Sequence, residues 1–313
     1  MPNDVTNLYQ TKVVPRLYNQ YYQGAFTSFM ENNAIGVEYH GGKYVIMSEM
    51  SVDGLGNYDR NLGFVRGNIN GEKKQYEMTM DRGREFLIDA ADNDETGFLV
   101  NAGSVMSVFQ NEHVIPEVDA YRISKIFSIV NTNKSANIIS TDINPEEITY
   151  TLADDIATLR DKVGNVPLVI MMSGLTQKYF GREFLHNLDY VNFARGALST
   201  KVKSLDGDPF MIIPSSRMKS AYTFYDGITT GQEKGGFVAA SGAKDIKWII
   251  MPATAAIAVA KIDKSRVFDP NTYQGAHAWK TDYRLYHDLW MTPKGYENTI
   301  IRTGDIKAPA TGA

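Results

Sequence analysis

Cysteine is absent from the 313 residues of this chain, so disulfide bonds, thiolate metal sites and cysteine nucleophiles are excluded. The most apolar segment, residues 248–260, is too short for a membrane span and contains Pro252. The amino terminus has no basic region followed by an apolar run, so we expect no secretory signal. With a net charge of −4, the chain has no global basic surface of the kind that binds nucleic acid by neutralising phosphates. These absences are typical of a soluble protein of a reducing cytoplasm.

Motifs for catalysis and for ligand binding are also missing. Residues 54–59 contain two glycines of a phosphate-binding loop but lack the third, and no helical pattern follows them. An acidic cluster over residues 89–95 resembles the start of a calcium loop, but Gly103 stands where the bidentate glutamate belongs. The histidines show no pair at helical metal-binding spacing, and no Gly-x-Ser-x-Gly elbow occurs. We therefore expect no catalytic residue, no cofactor site and no metal site.

The segment from Ala278 to Trp290 alternates aromatic or branched residues with polar ones, which predicts a β-strand. It contains the only adjacent His-Asp pair, His287 and Asp288. Successive side chains of a strand point to opposite faces, so the two cannot act together on one substrate atom. The pattern favours a structural role for both residues.

A long hairpin is predicted near the amino terminus, after an aromatic-rich arm that ends at about Asn33. Strand patterns over residues 37–40 and 43–47 flank a glycine turn, and a loop rich in Gly, Asn and Asp covers residues 51–71. We expect one return strand over residues 74–89. A hairpin of this length is not stable alone and must rest on a partner surface.

Helical patterns follow the hairpin. The first begins near Asp94 or Thr96 and continues to about Val130, with Pro116 either kinking one helix or separating two. The second covers 145–163, with Asn144 as cap, Glu147 completing a capping box and Gly164 ending the helix. Apolar strands at residues 166–172 and 246–251 predict an α/β unit around a small central sheet. The polar tail from Gly304 is expected to be disordered.

Charged residues concentrate in the segment from Asp81 to Asp89. On a strand, Arg82 and Arg84 share one face, while Asp81 and Glu85 share the other. One interpretation is an exposed strand with salt bridges of little energetic value. The other is a subunit contact in which Arg82, Arg84 and Glu85 fix the register against a neighbouring chain. On the second interpretation, Arg82→Glu leaves the exposed strand folded but impairs assembly.

Taken in order, these elements resemble the major capsid proteins of tailed bacteriophages. The resemblance extends from about Thr11 to Arg302. Three stretches carry it: Asp81-Arg82-Gly83-Arg84-Glu85-Phe86-Leu87-Ile88-Asp89 with Asp92 and Asp94 beyond it, Arg266-Val267-Phe268-Asp269-Pro270-Asn271, and Tyr283-Arg284-Leu285-Tyr286-His287-Asp288-Leu289-Trp290.

The resemblance implies an α+β chain with the phage major capsid (Johnson) fold. The implied parts are an N-terminal arm, an extended β-hairpin loop lying over an adjacent subunit, a peripheral domain with a long spine helix at about 95–130, return strands, an α/β axial domain and a polar tail. Their expected boundaries are 1–34 for the arm, 35–89 for the extended loop, 90–141 for the peripheral domain, 142–250 for the axial domain, 251–302 for the return strands and 303–313 for the tail.

The implied function is structural and not enzymatic. The chain would assemble with itself, through pentamers and hexamers, into an icosahedral head that encloses double-stranded DNA without sequence-specific binding. The chain has no room for a long helical scaffolding segment before the hairpin, which suggests either a separate scaffolding protein or a chain numbered from its mature terminus. A portal is a further expected partner. We expect assembly in the cytoplasm of a bacterial host, a final location in the virion and no membrane association. An encapsulin-like shell enclosing cargo enzymes and a soluble α/β enzyme are the alternatives.

Overall fold

The computed structural model describes residues 12–34, 37–40, 42–60, 63–89, 101–180, 188–195, 198–273 and 275–307. Helices and strands are interspersed along the chain, in agreement with the α+β class predicted from the sequence. Across these ranges, no helix combines the length and the apolar character needed to cross a membrane.

The helices belong mainly to the first half of the chain. The α-helices are α1 (Val14–Gly24), α2 (Asn101–Phe109), α3 (Ile115–Lys134), α4 (Ile148–Val163), α5 (Gly174–Gln177) and α6 (Pro293–Glu297). Short 3-10 helices cover Ser28–Asn33, Ser135–Asn137 and Ser215–Arg217, and a π-helical turn covers Gln110–Val114.

The strands are spread over the whole chain. They are β1 (Glu38–His40), β2 (Tyr44–Val52), β3 (Ile69–Glu77), β4 (Met80–Asp89), β5 (Ile138–Ile139), β6 (Leu168–Ser173), β7 (Asp189–Arg195), β8 (Leu198–Leu205), β9 (Asp208–Ile213), β10 (Tyr222–Phe224), β11 (Phe237–Ala239), β12 (Trp248–Pro252), β13 (Ala256–Phe268), β14 (Ala278–Met291) and β15 (Ile300–Arg302). Strands β6, β12 and β14 confirm the strands predicted in those regions.

These strands form separate sheets. A seven-stranded sheet has the order β5-β15-β12-β6-β9-β8-β7, and a three-stranded sheet has the order β13-β14-β4. Strands β1, β2 and β3 form the hairpin sheet, and β10 pairs with β11. The seven-stranded sheet is the central sheet of the chain, and it is larger than the small sheet expected from the sequence. Short strands such as β5 and β15 have too few residues to show a period of two in the sequence.

Both faces of the central sheet are covered by helices. On one face, Leu168, Ile170 and Met172 of β6 pack with Leu152 and Leu159 of α4. On the other face, the intervening β6 residues Val169 and Met171 pack with the apolar side of α3. Burial on two faces explains why β6 is apolar from Leu168 to Met172, and β12 throughout, instead of alternating.

The proline in the long helix is accommodated by the π-helical turn. Helix α2, this turn and α3 follow one another with helical backbone angles, and the Ile115 N–H donates to the Gln110 carbonyl. The wider turn lies just before Pro116, where an ordinary α-turn would bring the proline ring against a carbonyl of the preceding turn. The structure thus has one continuous helix over Asn101–Lys134, and the candidate caps Asp94 and Thr96 lie outside the described residues.

Helix α4 begins three residues later than its sequence pattern predicts. The Asn144 side chain accepts a hydrogen bond from the Glu146 N–H at 3.3 Å, and residues 145–147 form a turn. Glu147 is the residue before the helix and makes no side-chain cap, so the predicted capping box is wrong. Asparagine favours such local turns over a helical start. Gly164 ends the helix as predicted, with φ of 66°.

The return strand of the hairpin is divided in two. Strand β3 pairs with β2, whereas β4 pairs with β14 in another sheet. The chain changes sheets at Thr79, whose N–H and hydroxyl donate to an Asp288 carboxylate oxygen at 2.8 and 2.9 Å. The single strand predicted for residues 74–89 is therefore wrong, since the break depends on a distant residue.

The start of the C-terminal tail is ordered. Gly304 is buried, Asp305 pairs with Lys247 at 3.2 Å, and Ile306 bridges to Ile143. The expected disorder is therefore wrong for residues 304–307, because β15 carries them onto the central sheet. Residues 308–313 lie outside the described part of the chain.

Candidate assembly surfaces

The β2–β3 hairpin is anchored at its base. Its register pairs Tyr44 with Glu77 at the base and Val52 with Ile69 toward the tip. At the base, Val45 and Met47 are buried in a cluster with side chains of β14. The base of the hairpin is therefore packed against strand β14 of the β13-β14-β4 sheet, and the hairpin extends away from this attachment.

The far end of the hairpin, residues 52–69, is called the hairpin tip here, and its apolar side chains are exposed. Leu55 and Phe64 are 107% and 87% exposed, and the rings of Tyr58 and Phe64 stand 4.9 Å apart. In the described part of the tip, the exposed apolar residues are Val52, Leu55, Tyr58, Phe64, Val65 and Ile69. A concentration of apolar side chains like this marks an interaction surface.

Strand β4 segregates its charges as predicted, but Arg82 has a partner within the chain. Its guanidinium donates to both carboxylate oxygens of Glu117 on α3, at 2.7 and 3.2 Å. It also donates to the Tyr225 carbonyl at 2.7 Å. The Arg82 side chain is only 25% exposed, although most residues of β4 are exposed as expected. Its partners come from elements far away in sequence, which a local pattern does not reveal.

Arg84 lies on the same face and is exposed. Two of its guanidinium nitrogens donate to the Glu233 carbonyl, each at 3.1 Å. On the opposite face Glu85 pairs with Lys280 at 2.6 Å, and Asp81 pairs with Arg284 at 2.5 Å. The structure thus separates the predicted contact residues: Arg82 and Arg84 face the loop between β10 and β11, and Glu85 faces solvent beside β14.

A cavity of about 330 Å³ lies where the two arginines meet that loop. Its walls come from β4, β14, the π-helical turn and residues 225–236. Phe86, Phe109 and Leu285 supply apolar lining, and exposed Lys234 stands among the polar residues. His287 also lines the cavity, and its Nδ1 atom is buried without a hydrogen-bond partner in the described structure.

The adjacent residues His287 and Asp288 are both buried. Tyr121 contacts both, because its ring lies 5.3 Å from the His287 ring while its hydroxyl donates to Asp288 at 2.6 Å. Burial holds the pKa of His287 well below its usual range, and the charges of Arg122 and Arg82 lower it further. Asp288 thus accepts hydrogen bonds from Thr79 and Tyr121, and His287 packs against the Tyr121 ring, so one side chain contacts both residues of the pair.

The N-terminal segment is attached to α3 by buried charges. Asp119 accepts hydrogen bonds from Thr27 and Phe26 and pairs with Arg217 at 3.1 Å. Arg122 donates to Glu31 at 2.6 Å and to the Thr27 carbonyl at 3.2 Å. Both Asp119 and Arg122 are completely buried. Residues 14–33 thus form a helix and a 3-10 turn that are fixed to the core.

Sequence reasoning assigned no role to Asp119 and Arg122. The sequence does contain one indication of a buried role: both residues interrupt the apolar stripe of α3, in which Val118 and Ile123 are buried. A charged residue inside such a stripe is rare unless it is paired. The described residues contain no cluster of three or more metal-ligating side chains, so no metal site is found in that part of the chain.

The sequence matches no protein-family model and no curated protein. Comparison with solved structures does find similar chains. A structure from Gordonia phage Cozz matches with a TM-score of 0.53 at 14% identity, covering 90% of this chain and 87% of that one. The asymmetric unit of the bacteriophage PhiM1 mature capsid matches with a TM-score of 0.52 at 9% identity, covering 84% and 82%.

A third match supports the same fold. The capsid structure of Staphylococcus phage Andhra has a TM-score of 0.51 at 12% identity, with coverage of 87% of this chain and 82% of that chain. Identities this low establish similarity of fold and not of function. The chain therefore has the fold found in phage capsid structures, the Johnson fold that its sequence resemblance implied.

Proposed function

We propose that this chain is a major capsid protein that assembles through pentamers and hexamers into an icosahedral phage head enclosing double-stranded DNA. The observation that carries the proposal is a capsid fold whose anchored hairpin exposes an apolar tip. Exposed apolar side chains do not stabilise a monomer, but they stabilise an assembly when a neighbouring subunit covers them. The proposed role is structural, without catalysis.

The domain division is also part of the proposal. The axial domain, residues 142–250, contains most of the seven-stranded sheet, and the peripheral domain at 90–141 contains the long helix. The return strands at 251–302 contribute β13 and β14, which connect the two. The arm at 1–34, the extended loop at 35–89 and the tail at 303–313 complete the division.

We propose that the edge strand β4 is a subunit contact. In the described structure β4 stands at one edge of its sheet, and both Arg84 and Glu85 are exposed. These two side chains would meet the neighbour, while Arg82 holds the strand to α3. Interactions at such a rim set register and orientation more than affinity.

The partners follow from the proposed role. They are other copies of the chain, a separate scaffolding protein, a portal and the enclosed DNA. A net charge of −4 suits a protein shell that encloses DNA without binding it through extensive phosphate neutralisation. Assembly would take place in the cytoplasm of a bacterial host, and the final location would be the virion.

The test is to express the chain, separate it by size-exclusion chromatography and image the leading peak by negative-stain electron microscopy, with and without the co-expressed candidate scaffold. We expect closed shells, or rings of five and six subunits. A chain that stays monomeric on concentration under both conditions contradicts the proposal. Nuclease-protected DNA in particles from infected cells separates a phage head from a shell that encloses protein cargo.

A further inference from the structure

The cavity beside β4 is preformed. Arg82 holds one side of the 225–236 loop through the Tyr225 carbonyl, and Arg84 holds the other through the Glu233 carbonyl. A Cβ atom on Gly227 or Gly235 would come within 3.2 or 3.4 Å of Arg84, and both glycines have positive φ. These positions thus favour glycine, and they let the loop close against the arginines, so the cavity is a built feature of the fold.

Its interior combines an aromatic surface with an unused polar atom. The Phe86 and Phe109 rings meet at 5.1 Å, and Tyr283 lies 6.1 Å from Phe109. His287 is one of the wall residues, and its Nδ1 atom is buried without a hydrogen-bond partner in the described structure, which is unusual for a buried polar group. The π-helical turn forms another wall, and such turns are frequent at functional sites.

The shape and chemistry limit what can enter. A volume of about 330 Å³ is at the lower end of the range for ligand pockets, so the cavity accommodates a few side chains but no folded element. An aromatic side chain suits the walls, and a hydroxyl suits the mouth, because it can accept a hydrogen bond from the exposed Arg84 or Lys234. A tyrosine combines the two properties.

The same chain exposes that combination elsewhere. Tyr58 and Phe64 form a ring pair at the hairpin tip, 62% and 87% exposed. Among the tip residues that the structure describes, none lines the cavity of its own chain. An exposed apolar group and a complementary pocket at different places on one molecule make a head-to-tail contact, which generates closed rings when the rotation closes.

We propose that the cavity lined by Phe86, Phe109 and His287 receives the Tyr58–Phe64 pair from the hairpin tip of a second copy of this chain. The inference rests on the proposed capsid function and names the surface that the hairpin binds. Buried aromatic anchors in a preformed pocket supply most of the binding energy at protein interfaces. Arg84 and Lys234 at the mouth then form the polar rim around the anchors.

The absence of cysteine permits a direct test by crosslinking. Asn57→Cys at the tip and Lys234→Cys at the cavity mouth both replace exposed residues. Assembled particles carrying both changes are treated with a short bismaleimide and analysed by denaturing electrophoresis. We expect a ladder of covalent multimers up to the ring size. Their yield should exceed that of the control by at least about tenfold, because the contact holds the two thiols at a high effective concentration.

The matched control joins the same tip cysteine to a distant exposed position. Tyr150 on α4 is 74% exposed, so Asn57→Cys with Tyr150→Cys keeps the number of thiols and their accessibility. Particles that form normally but give no more multimers with the Lys234 pair than with the Tyr150 pair overturn the inference. A crosslink within one chain also overturns it. Failure of the unmodified chain to assemble contradicts the proposed function instead.

A second measurement does not depend on the bismaleimide crosslinker. Tyr58→Ser with Phe64→Ser removes both rings from an exposed tip, so the monomer should keep its thermal stability. We expect particle yield to fall by at least about tenfold, whereas Tyr150→Ser should leave it unchanged. Normal yield from the double variant overturns the inference, as does a particle structure in which a small molecule fills the cavity.

Discussion

Asp119 of α3 accepts hydrogen bonds from both the N–H and the hydroxyl of Thr27, at 3.0 and 2.7 Å. The two residues lie 92 positions apart and are both completely buried. This contact joins the N-terminal segment to the long helix before the hairpin begins. The hairpin therefore starts from a fixed point of the core.

Asp119→Ala should lower the free energy of unfolding by about 3–5 kcal/mol, because it leaves Arg217 and the Thr27 donors without their partner in a buried site. Asp119→Asn should lose less, since an amide oxygen still accepts. Urea unfolding measures both. Asp305→Ala serves as control, because Asp305 is 87% exposed and its pair should contribute at most about 1 kcal/mol. Equal losses for the Asp119 and Asp305 variants would show that the buried network does not stabilise the arm.

Arg82→Glu should destabilise the monomer, contrary to what the local charge pattern suggests. The change places a carboxylate against Glu117 and removes the donor to the Tyr225 carbonyl, so we expect a loss of about 2–4 kcal/mol. Adding Glu117→Arg should restore much of that loss. Thermal unfolding of the single and double variants makes the comparison.

Arg84→Glu is the matched control for Arg82→Glu. Arg84 is exposed, and within the described residues its guanidinium donates hydrogen bonds only to the Glu233 carbonyl, so its reversal should change the free energy of unfolding by less than about 0.5 kcal/mol. It should nevertheless reduce particle yield, because Arg84 belongs to the proposed subunit contact. If both reversals destabilise the monomer equally, the bidentate pair of Arg82 with Glu117 is not the cause.

Asp263 should make stability depend on pH. Burial raises the pKa of its carboxyl from 3.8 to about 6, and the negative charge of Glu31 adds to the shift. The pKa of Asp263 is higher in the folded chain than in the unfolded chain. The stability associated with its protonated carboxyl is therefore fully present below about pH 4, and it is lost as pH rises through 6.

Asp263→Asn should therefore stabilise the chain near neutral pH by up to about 3 kcal/mol, given about 1.4 kcal/mol for each pKa unit. The stabilisation should disappear near pH 4. Urea unfolding of the variant and the unmodified chain at several pH values measures this difference. A constant difference between the two across that range would contradict the assignment.

Gly304→Ala should destabilise the chain by about 1–3 kcal/mol or more, although its sequence context is a polar tail. A methyl group there would overlap the Thr141 carbonyl, and backbone atoms do not move aside easily. Gly54→Ala at the hairpin tip is the control, because nothing lies within 4 Å of the added carbon. Thermal unfolding should separate the two variants, and equal melting temperatures would mean that the tail is not packed.

Several features were determined by the sequence because they depend on local periodicity. The alternation in β14 and the continuous apolar runs of β6 and β12 report how many faces of each strand are buried. The hairpin with its exposed glycine-rich tip follows from turn chemistry. Their order along the chain was enough to indicate a phage capsid fold.

Tertiary structure alone decided which charged groups meet. Nothing near Arg82 in sequence indicates Glu117 or Tyr225, and nothing near Thr79 indicates Asp288, yet these contacts half-bury one arginine and divide a strand. A periodic pattern shows which face a side chain occupies, because the period belongs to the element itself. The partner on that face depends on how the elements pack, so contacts between residues distant in sequence appear only in the folded chain.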